Sequence, residues 1–262
     1  MSAGTSTDTQ KTCKERAAEL RDEILFRQPE SSHLGDCPIC ILPLSIDVDK
    51  STLYTCCSKR ICDGCDYANT TRETEGQLEH TCPFCRHPTP ETDEEIHKNK
   101  MKRIDANDPV ALREMGIRRY DEGDYESSFK HWTKAAELGD ADAHYNLSCL
   151  YYEGRGVEKD EKMESYHLEV AAIVGHPTAR YNLAIEEEGY DRVDRAVKHF
   201  IIAANLGHDK SIKQLKGCYA RGEVSKEDFA AALRAHQATV NATKSPQREA
   251  AAEAEAKGDT RY

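Results

Sequence analysis

The side chains best suited to chemistry in this chain are cysteines. Eleven are present, and eight of them, Cys37, Cys40, Cys56, Cys57, Cys62, Cys65, Cys82 and Cys85, fall between residues 37 and 85. Three pairs, 37/40, 62/65 and 82/85, have Cys-x-x-Cys spacing. That spacing lets two thiolates converge on one tetrahedral Zn²⁺, with sulfur about 2.3 Å from the metal. Cys56 and Cys57 are adjacent and supply a fourth pair. Eight thiolates are enough for two closed four-coordinate sites, so the expected cofactors are two structural Zn²⁺ ions. A closed site leaves no position for water or substrate, so no catalytic residue is expected at the metal. So small a block has too little core to fold alone, and metal binding should supply much of its folding free energy. Spacing permits two wirings. A sequential one joins 37/40 to 56/57 and 62/65 to 82/85; an interleaved one joins 37/40 to 62/65 and 56/57 to 82/85.

The other candidates are weaker. Cys13, Cys149 and Cys218 lie outside the block and read as ordinary thiols on helices. His80 and His87 are nearby spare donors, and Lys59, two residues after Cys57, is a poor ligand.

The elements that must position these residues are mostly helical. Residues 1–10 are rich in Ser and Thr and are expected to be disordered. A helical lead-in follows over 11–30, with Ala17, Leu20 and Ile24 as its apolar stripe. The zinc domain is expected over 36–90. A connecting helix over 91–107 opens at Thr92, with Glu95 three residues on as in a capping box. From 108 to 240 the sequence repeats itself. Ala135-Ala136 recurs as Ala171-Ala172 and Ala203-Ala204, each followed by a glycine at the same offset, Gly139, Gly175 and Gly207. Tyr145-Asn146-Leu147 recurs as Tyr181-Asn182-Leu183, and Met115 and Leu215 continue that column. A period in the thirties is the mark of a helical solenoid, here in four units, 108–140, 141–176, 177–208 and 209–240. Each glycine suits the left-handed conformation that ends a helix, and the alanine pairs allow close helix approach. Residues 241–262 carry Ala, Glu, Lys and Gln without an apolar stripe, and a flexible tail is expected there. The fold class is therefore α-rich and multidomain, a small zinc-stabilised domain followed by an αα-solenoid.

Composition bounds the function. The net charge is -11, with 38 % hydrophobic, 32 % charged and only 7 % aromatic residues. Such a balance argues against a nucleic-acid binder, which needs cations to displace counterions, and against one large β-rich core. The basic run from Lys98 to Arg103 reads as a solvated helix face. Residues 1–12 are polar, and apolar runs fall far short of the ~18 residues a membrane helix needs. An intracellular protein, cytoplasmic or nuclear, without membrane contact is expected. In such compartments clustered cysteine points to metal rather than to disulfides.

Two resemblances sharpen this reading. Cys-Pro-Ile-Cys at 37–40, Cys-Asp-Gly-Cys at 62–65 and Cys-Pro-Phe-Cys-Arg at 82–86 resemble a RING finger. The Cys56-Cys57 pair resembles that of the all-cysteine RING subset. The resemblance implies interleaved, cross-braced sites and a ubiquitin ligase module that docks a ubiquitin-charged conjugating enzyme and has no nucleophile of its own. By position it makes Ile39 and Pro83 apolar contacts to that enzyme. Arg86 becomes the donor that bridges enzyme and ubiquitin. The helix between Cys65 and Cys82 lacks the Trp found in many strong binders; Trp132 is the only one in the chain. Residues 141–176, with Ala143-His144-Tyr145-Asn146-Leu147, Tyr151-Tyr152-Glu153-Gly154-Arg155-Gly156-Val157 and Ala171-Ala172 before Gly175, resemble Sel1-like repeats, relatives of the tetratricopeptide repeat. That resemblance implies a superhelix presenting a concave surface to a protein substrate or adaptor. The competing function is a non-catalytic zinc-binding scaffold.

Overall fold

The structure, a computed structural model, describes residues 13–258. The expected disordered start at 1–10 lies outside the described residues. Helix α1, Cys13–Leu25, leads into an extended segment. The cysteine block has a two-stranded antiparallel hairpin, β1 Ser51–Tyr54 and β2 Lys59–Cys62, followed by α2, Asp63–Glu75. Ser51 pairs with Cys62 and Tyr54 with Lys59, so the hairpin tip carries Cys56 and Cys57. Its small core is Cys37, Leu44, Ile61, Cys62 and Cys65.

Helix α3, Asp93–Asp105, is capped by Thr92, whose hydroxyl accepts from the Glu95 N–H. Glu95 reaches back to the Glu91 N–H at 3.0 Å, one residue beyond the position a capping box uses. Then follow antiparallel pairs: α4 Pro109–Asp121 with α5 Tyr125–Glu137, α6 Ala141–Glu153 with α7 Glu161–Ile173, α8 Pro177–Gly189 with α9 Val193–Asn205, and α10 Asp209–Ala220 with α11 Lys226–Ala242. Each pair also packs on the next, so stripes that no helix buries alone are covered by their neighbours. Among the described residues, the buried ones along the repeats form three hydrophobic clusters, with Leu147 and Leu150 in one, Leu168 in the next and Phe200 and Leu215 in the last, and Ala135, Ala171 and Ala203 are fully buried at the close approaches.

Two expectations are corrected. The stripe Ala17, Leu20 and Ile24 is exposed. The residue of α1 that docks is Leu25, which joins Leu168, Ala171, Ala172, Ala179 and Leu183, with Phe26 beside it. Burial here is decided at the helix end, where the chain turns into the repeats. The expected flexible tail over 241–262 instead contains α12, Pro246–Ala256, capped by the Ser245 hydroxyl and packed along α2. Its small side chains Ala251 and Ala254 are buried, which a search for a stripe of large apolar residues does not detect.

The chain between α1 and the cysteine block is bound to the repeats. Gly175, at φ 93°, ends α7 and accepts at its carbonyl from the His33 N–H. A side chain at 175 would stand 2.5 Å from the Ser31 carbonyl, so glycine serves both the turn and the contact. Arg180 is fully buried and donates to the carbonyls of Leu25 and Ala172. Arg21 pairs with Glu169, and Arg195 with both Asp22 and Glu187.

Candidate metal centre

The first and last Cys-x-x-Cys segments fold into the same small loop. The Cys37 N–H donates to the Leu42 carbonyl and the Ile41 N–H to the Cys37 carbonyl, each at 2.9 Å. The Cys82 N–H donates to His87 at 2.8 Å and the Arg86 N–H to Cys82 at 2.9 Å. Ile41 and Arg86 hold equivalent left-handed positions, φ 57° and 61°. For a β-branched residue such a φ is strained, and the loops keep it because it turns two thiols of one segment toward one point. The middle pair is built differently: Cys62 ends β2 and is the N-cap of α2, and Cys65 lies in that helix's first turn.

These elements bring the eight cysteines into two groups. Cys37, Cys40, Cys62 and Cys65 form one, and Cys56, Cys57, Cys82 and Cys85 the other, the sulfurs of each within 4.8 Å of one another. This is the interleaved grouping, and both Cys56 and Cys57 take part. The separations Cys40–Cys62 3.7 Å, Cys57–Cys82 3.8 Å and Cys56–Cys85 3.4 Å are close to the edge of an S₄ tetrahedron around zinc, about 3.8 Å for a 2.3 Å bond. They are far from a disulfide bond of about 2.05 Å, and the cysteines are free thiols. Without a cation such thiols compete for charge. Contact with Cys37 and burial push the Cys62 thiol up, while the hydrogen bond to Cys62 draws Cys37 down to about 4. Burial pushes Cys57 up to about 11 and Cys65 to about 12. A divalent cation would remove that penalty at both sites, so the donor set fits zinc.

Around the thiols, the buried Asp66 accepts from Tyr54 and from the Thr52 hydroxyl at 2.9 Å, tying the hairpin to α2. Glu73, also buried, accepts from the Thr81 hydroxyl at 2.7 Å and fixes α2 to the last loop. His80 faces Glu73, and the His87 ring contacts the Pro88 carbonyl; neither joins a group, and Lys59 is exposed on β2. Cys149 is half-buried on α6 and Cys218 buried on α10, away from both groups. The thiol of Cys13 lies outside the described residues.

The expected partner residues fall out unevenly. Ile39 is exposed between the first pair. Pro83 is buried, because the last loop turns it inward, and its neighbour Phe84 is the exposed apolar side chain there. Arg86 is exposed but donates to the Asn69 amide oxygen at 3.1 Å, lying back on α2.

A third cluster was not legible in the sequence. His33, Asp142 and His176 gather where the inter-domain segment meets the repeats. His33 Nε2 lies 2.8 Å and His176 Nε2 3.3 Å from Asp142 Oδ1, and the two rings stack at 4.4 Å. His176 Nδ1 accepts from the Ala179 N–H as the cap of α8. Its Nε2 therefore carries the proton and donates to Asp142, leaving no lone pair for a metal. Arg113 completes the cluster on the other carboxylate oxygen. This is a hydrogen-bonded junction.

An αα-repeat array joined to a doubly clustered eight-cysteine domain is thus the class that fold and site define. The chain contains Sel1 repeats, matched at residues 109–140, 141–167 and 177–208. The fourth helical pair, α10 with α11, lies beyond those matches. Two strains of Helicobacter pylori carry a similar protein, HcpC, which bears a beta-lactamase name. One is 40% identical over 55 residues, 21% of this chain and 19% of HcpC; the other is 40% identical over 52 residues, 20% and 18% respectively. The chain thus spans about a fifth of the length of these curated relatives. Among solved structures it is similar to a Sel1 repeat protein from Oxalobacter formigenes, with TM-score 0.49 and 27% identity over 66% of this chain and 72% of that one. It is also similar to c5321, a protective antigen of uropathogenic Escherichia coli, with TM-score 0.49 and 23% identity over 65% and 37%. Sel1 repeats are a protein-interaction scaffold, and among the described residues no helix is long and apolar enough to cross a membrane.

Proposed function

We propose that the cysteine domain binds two structural zinc ions as a RING-type module of a ubiquitin ligase, and that the repeats recruit its protein substrate or adaptor. The observation that carries the reading is the interleaving of the two cysteine groups, with a hairpin and a helix between them. Zinc bound there supplies rigidity and no open coordination position. Catalysis then rests on docking a ubiquitin-charged conjugating enzyme and holding its thioester for attack by a substrate lysine. Ile39 and Phe84, exposed on the two equivalent loops, are the apolar contacts; Pro83 shapes the loop that presents Phe84. Arg86 has the donor fork that bridges enzyme and ubiquitin, and it reaches them by leaving Asn69.

That hydrogen bond to Asn69 also favours the second reading, a zinc-stabilised scaffold without ligase activity. One experiment separates the two. The zinc-loaded chain is combined with activating enzyme, ubiquitin and a panel of conjugating enzymes. Chain formation, lost in Ile39→Ala and reduced in Arg86→Ala, is the ligase outcome. No ubiquitin transfer with any conjugating enzyme, from protein that carries two zinc ions, leaves the scaffold.

A further inference from the structure

The first cysteine group has an outer shell that comes from the far end of the chain. Arg248 lies 208 residues after Cys40 and is carried by α12. A side chain at Gly64, in the first turn of α2, would stand 2.7 Å from the Arg248 backbone nitrogen, so α12 meets α2 at a point only glycine allows. From there the guanidinium spreads over the loop that follows Cys40. Nη1 donates to the Pro43 and Thr243 carbonyls, each at 2.7 Å, and Nη2 donates to the Leu42 carbonyl at 3.2 Å and to Cys40 Sγ at 3.5 Å.

The chemistry of this contact is specific. Four thiolates around one Zn²⁺ carry a net charge of about −2, and a cation donating to one sulfur offsets part of it. Leu42 is also the residue whose carbonyl accepts from the Cys37 N–H, so Arg248 holds both the sulfur of the second ligand and the turn behind the first. The second group lacks such a partner. Among the described residues no lysine or arginine donates to its sulfurs, and the Cys85 N–H supplies a backbone contact to Cys82 Sγ at 3.5 Å. Two sites with the same ligand chemistry therefore differ by one cation, delivered by the C-terminal helix.

We infer that Arg248 is a positioning residue for the first metal site, and that docking of α12 on α2 sets how tightly this site, but not the second, retains its zinc. The inference rests on the metal reading above. Groups outside the first ligand shell alter metal retention by about 10- to 100-fold, which is the size of effect expected.

The test uses the full chain. Metal content is measured by mass spectrometry, and release of zinc to excess chelator is followed with a chromogenic indicator. The wild type carries two zinc ions. Arg248→Ala releases one of them about 10- to 100-fold faster and the other at the wild-type rate. Arg248→Lys, which keeps the charge but loses the fork, falls between. Ala251→Glu drives the buried face of α12 off α2 with Arg248 still in the chain, and gives the same single accelerated phase. Far-UV ellipticity equal to wild type shows that the repeats remain folded in each variant. Wild-type release of both ions in Arg248→Ala and Ala251→Glu overturns the inference. So does equal acceleration of both ions, which is general destabilisation. A wild-type chain that takes up no zinc overturns the metal reading itself.

Discussion

His199, on α9, is fully buried, and neither ring nitrogen has a hydrogen-bond partner among the described residues. Its ring lies 4.6 Å from that of Phe26, where the inter-domain segment crosses the repeats. Replacing it with leucine removes an unsatisfied polar group of similar volume. The unpaired nitrogens cost about 1–3 kcal/mol, so His199→Leu should stabilise the chain by about 1–2 kcal/mol at pH 7.5, after a small loss for shape. A second effect appears in acid. Burial, then the nearby cations of Arg180 and Arg195, pull the His199 pKa down to about 3. In the unfolded chain the imidazole titrates near 6.5. Between those values the unfolded state binds a proton that the folded state refuses, so stability is complete above about pH 6.5 and falls as pH drops toward 3. At pH 5 that is about 2 kcal/mol for this residue. The advantage of His199→Leu should therefore grow by about 2 kcal/mol between pH 7.5 and pH 5. Urea unfolding of both proteins at the two pH values, followed by ellipticity at 222 nm, measures the difference. Protonation of the metal thiolates is common to both proteins and cancels. A variant less stable than wild type at pH 7.5, or an advantage that does not change with pH, refutes the account of His199 as a buried, unpaired, neutral ring.

Three further outcomes follow from the same geometry. Gly175→Ala places a side chain on a residue at φ 93° and against the Ser31 carbonyl. It should cost about 2 kcal/mol in thermal unfolding and raise proteolysis between Leu25 and Asp36, whereas Gly139→Ala, with open space around it, should cost stability without that cleavage. Ile41→Gly relieves the left-handed strain of the first loop and should stabilise the zinc-loaded chain by about 1 kcal/mol, read as a higher melting temperature. Asp142→Asn takes the charge from between Arg113, His33 and His176. Burial alone would raise this carboxyl, but hydrogen bonds from His176 and His33, then the charge of His33 and that of Arg113, hold it below its usual range. Its contribution is complete above about pH 4 and declines progressively as pH falls from there toward the depressed folded-state value, so the variant should be about 3 kcal/mol less stable at pH 7 and the deficit should shrink between about pH 4 and pH 2.

What the sequence disclosed was whatever is encoded within a few residues. The Cys-x-x-Cys pairs are local, and so are Ala171-Ala172 with Gly175, because a helix that ends on a left-handed glycine is written in one turn. The wiring of the cysteines was not local: whether Cys37 and Cys40 meet Cys56 or Cys62 depends on the hairpin reversing between Tyr54 and Lys59, and only the resemblance pointed to the answer. The choice between Pro83 and Phe84 as the outward side chain was set by the turn of one loop. Arg180, Arg248 and His33 were illegible for a different reason. Each acts on backbone or side chains more than 100 residues away, and an arginine that will be buried reads in a sequence like one that will be solvated.

His33 and Arg248, with Gly175, also explain why the cysteine domain is not a bead on a string. His33 and Gly175 fasten the chain entering it to the ends of α6 and α7, while Arg248 and the buried alanines of α12 fasten its far side after the last repeat helix. Both flanks of the domain are thereby referenced to one array. A flexible linker would let the two modules sample many separations. Here the contacts at both flanks restrict how whatever the repeats hold can sit relative to Ile39 and Phe84. For a ligase that restriction would govern which lysines of a substrate come within reach of the thioester, and for a scaffold which two partners can be bound at once. In either reading the interdomain contacts would shape selectivity, and Gly175→Ala, which lies outside the cysteine domain, should alter which partners are engaged together before it alters binding to either module alone.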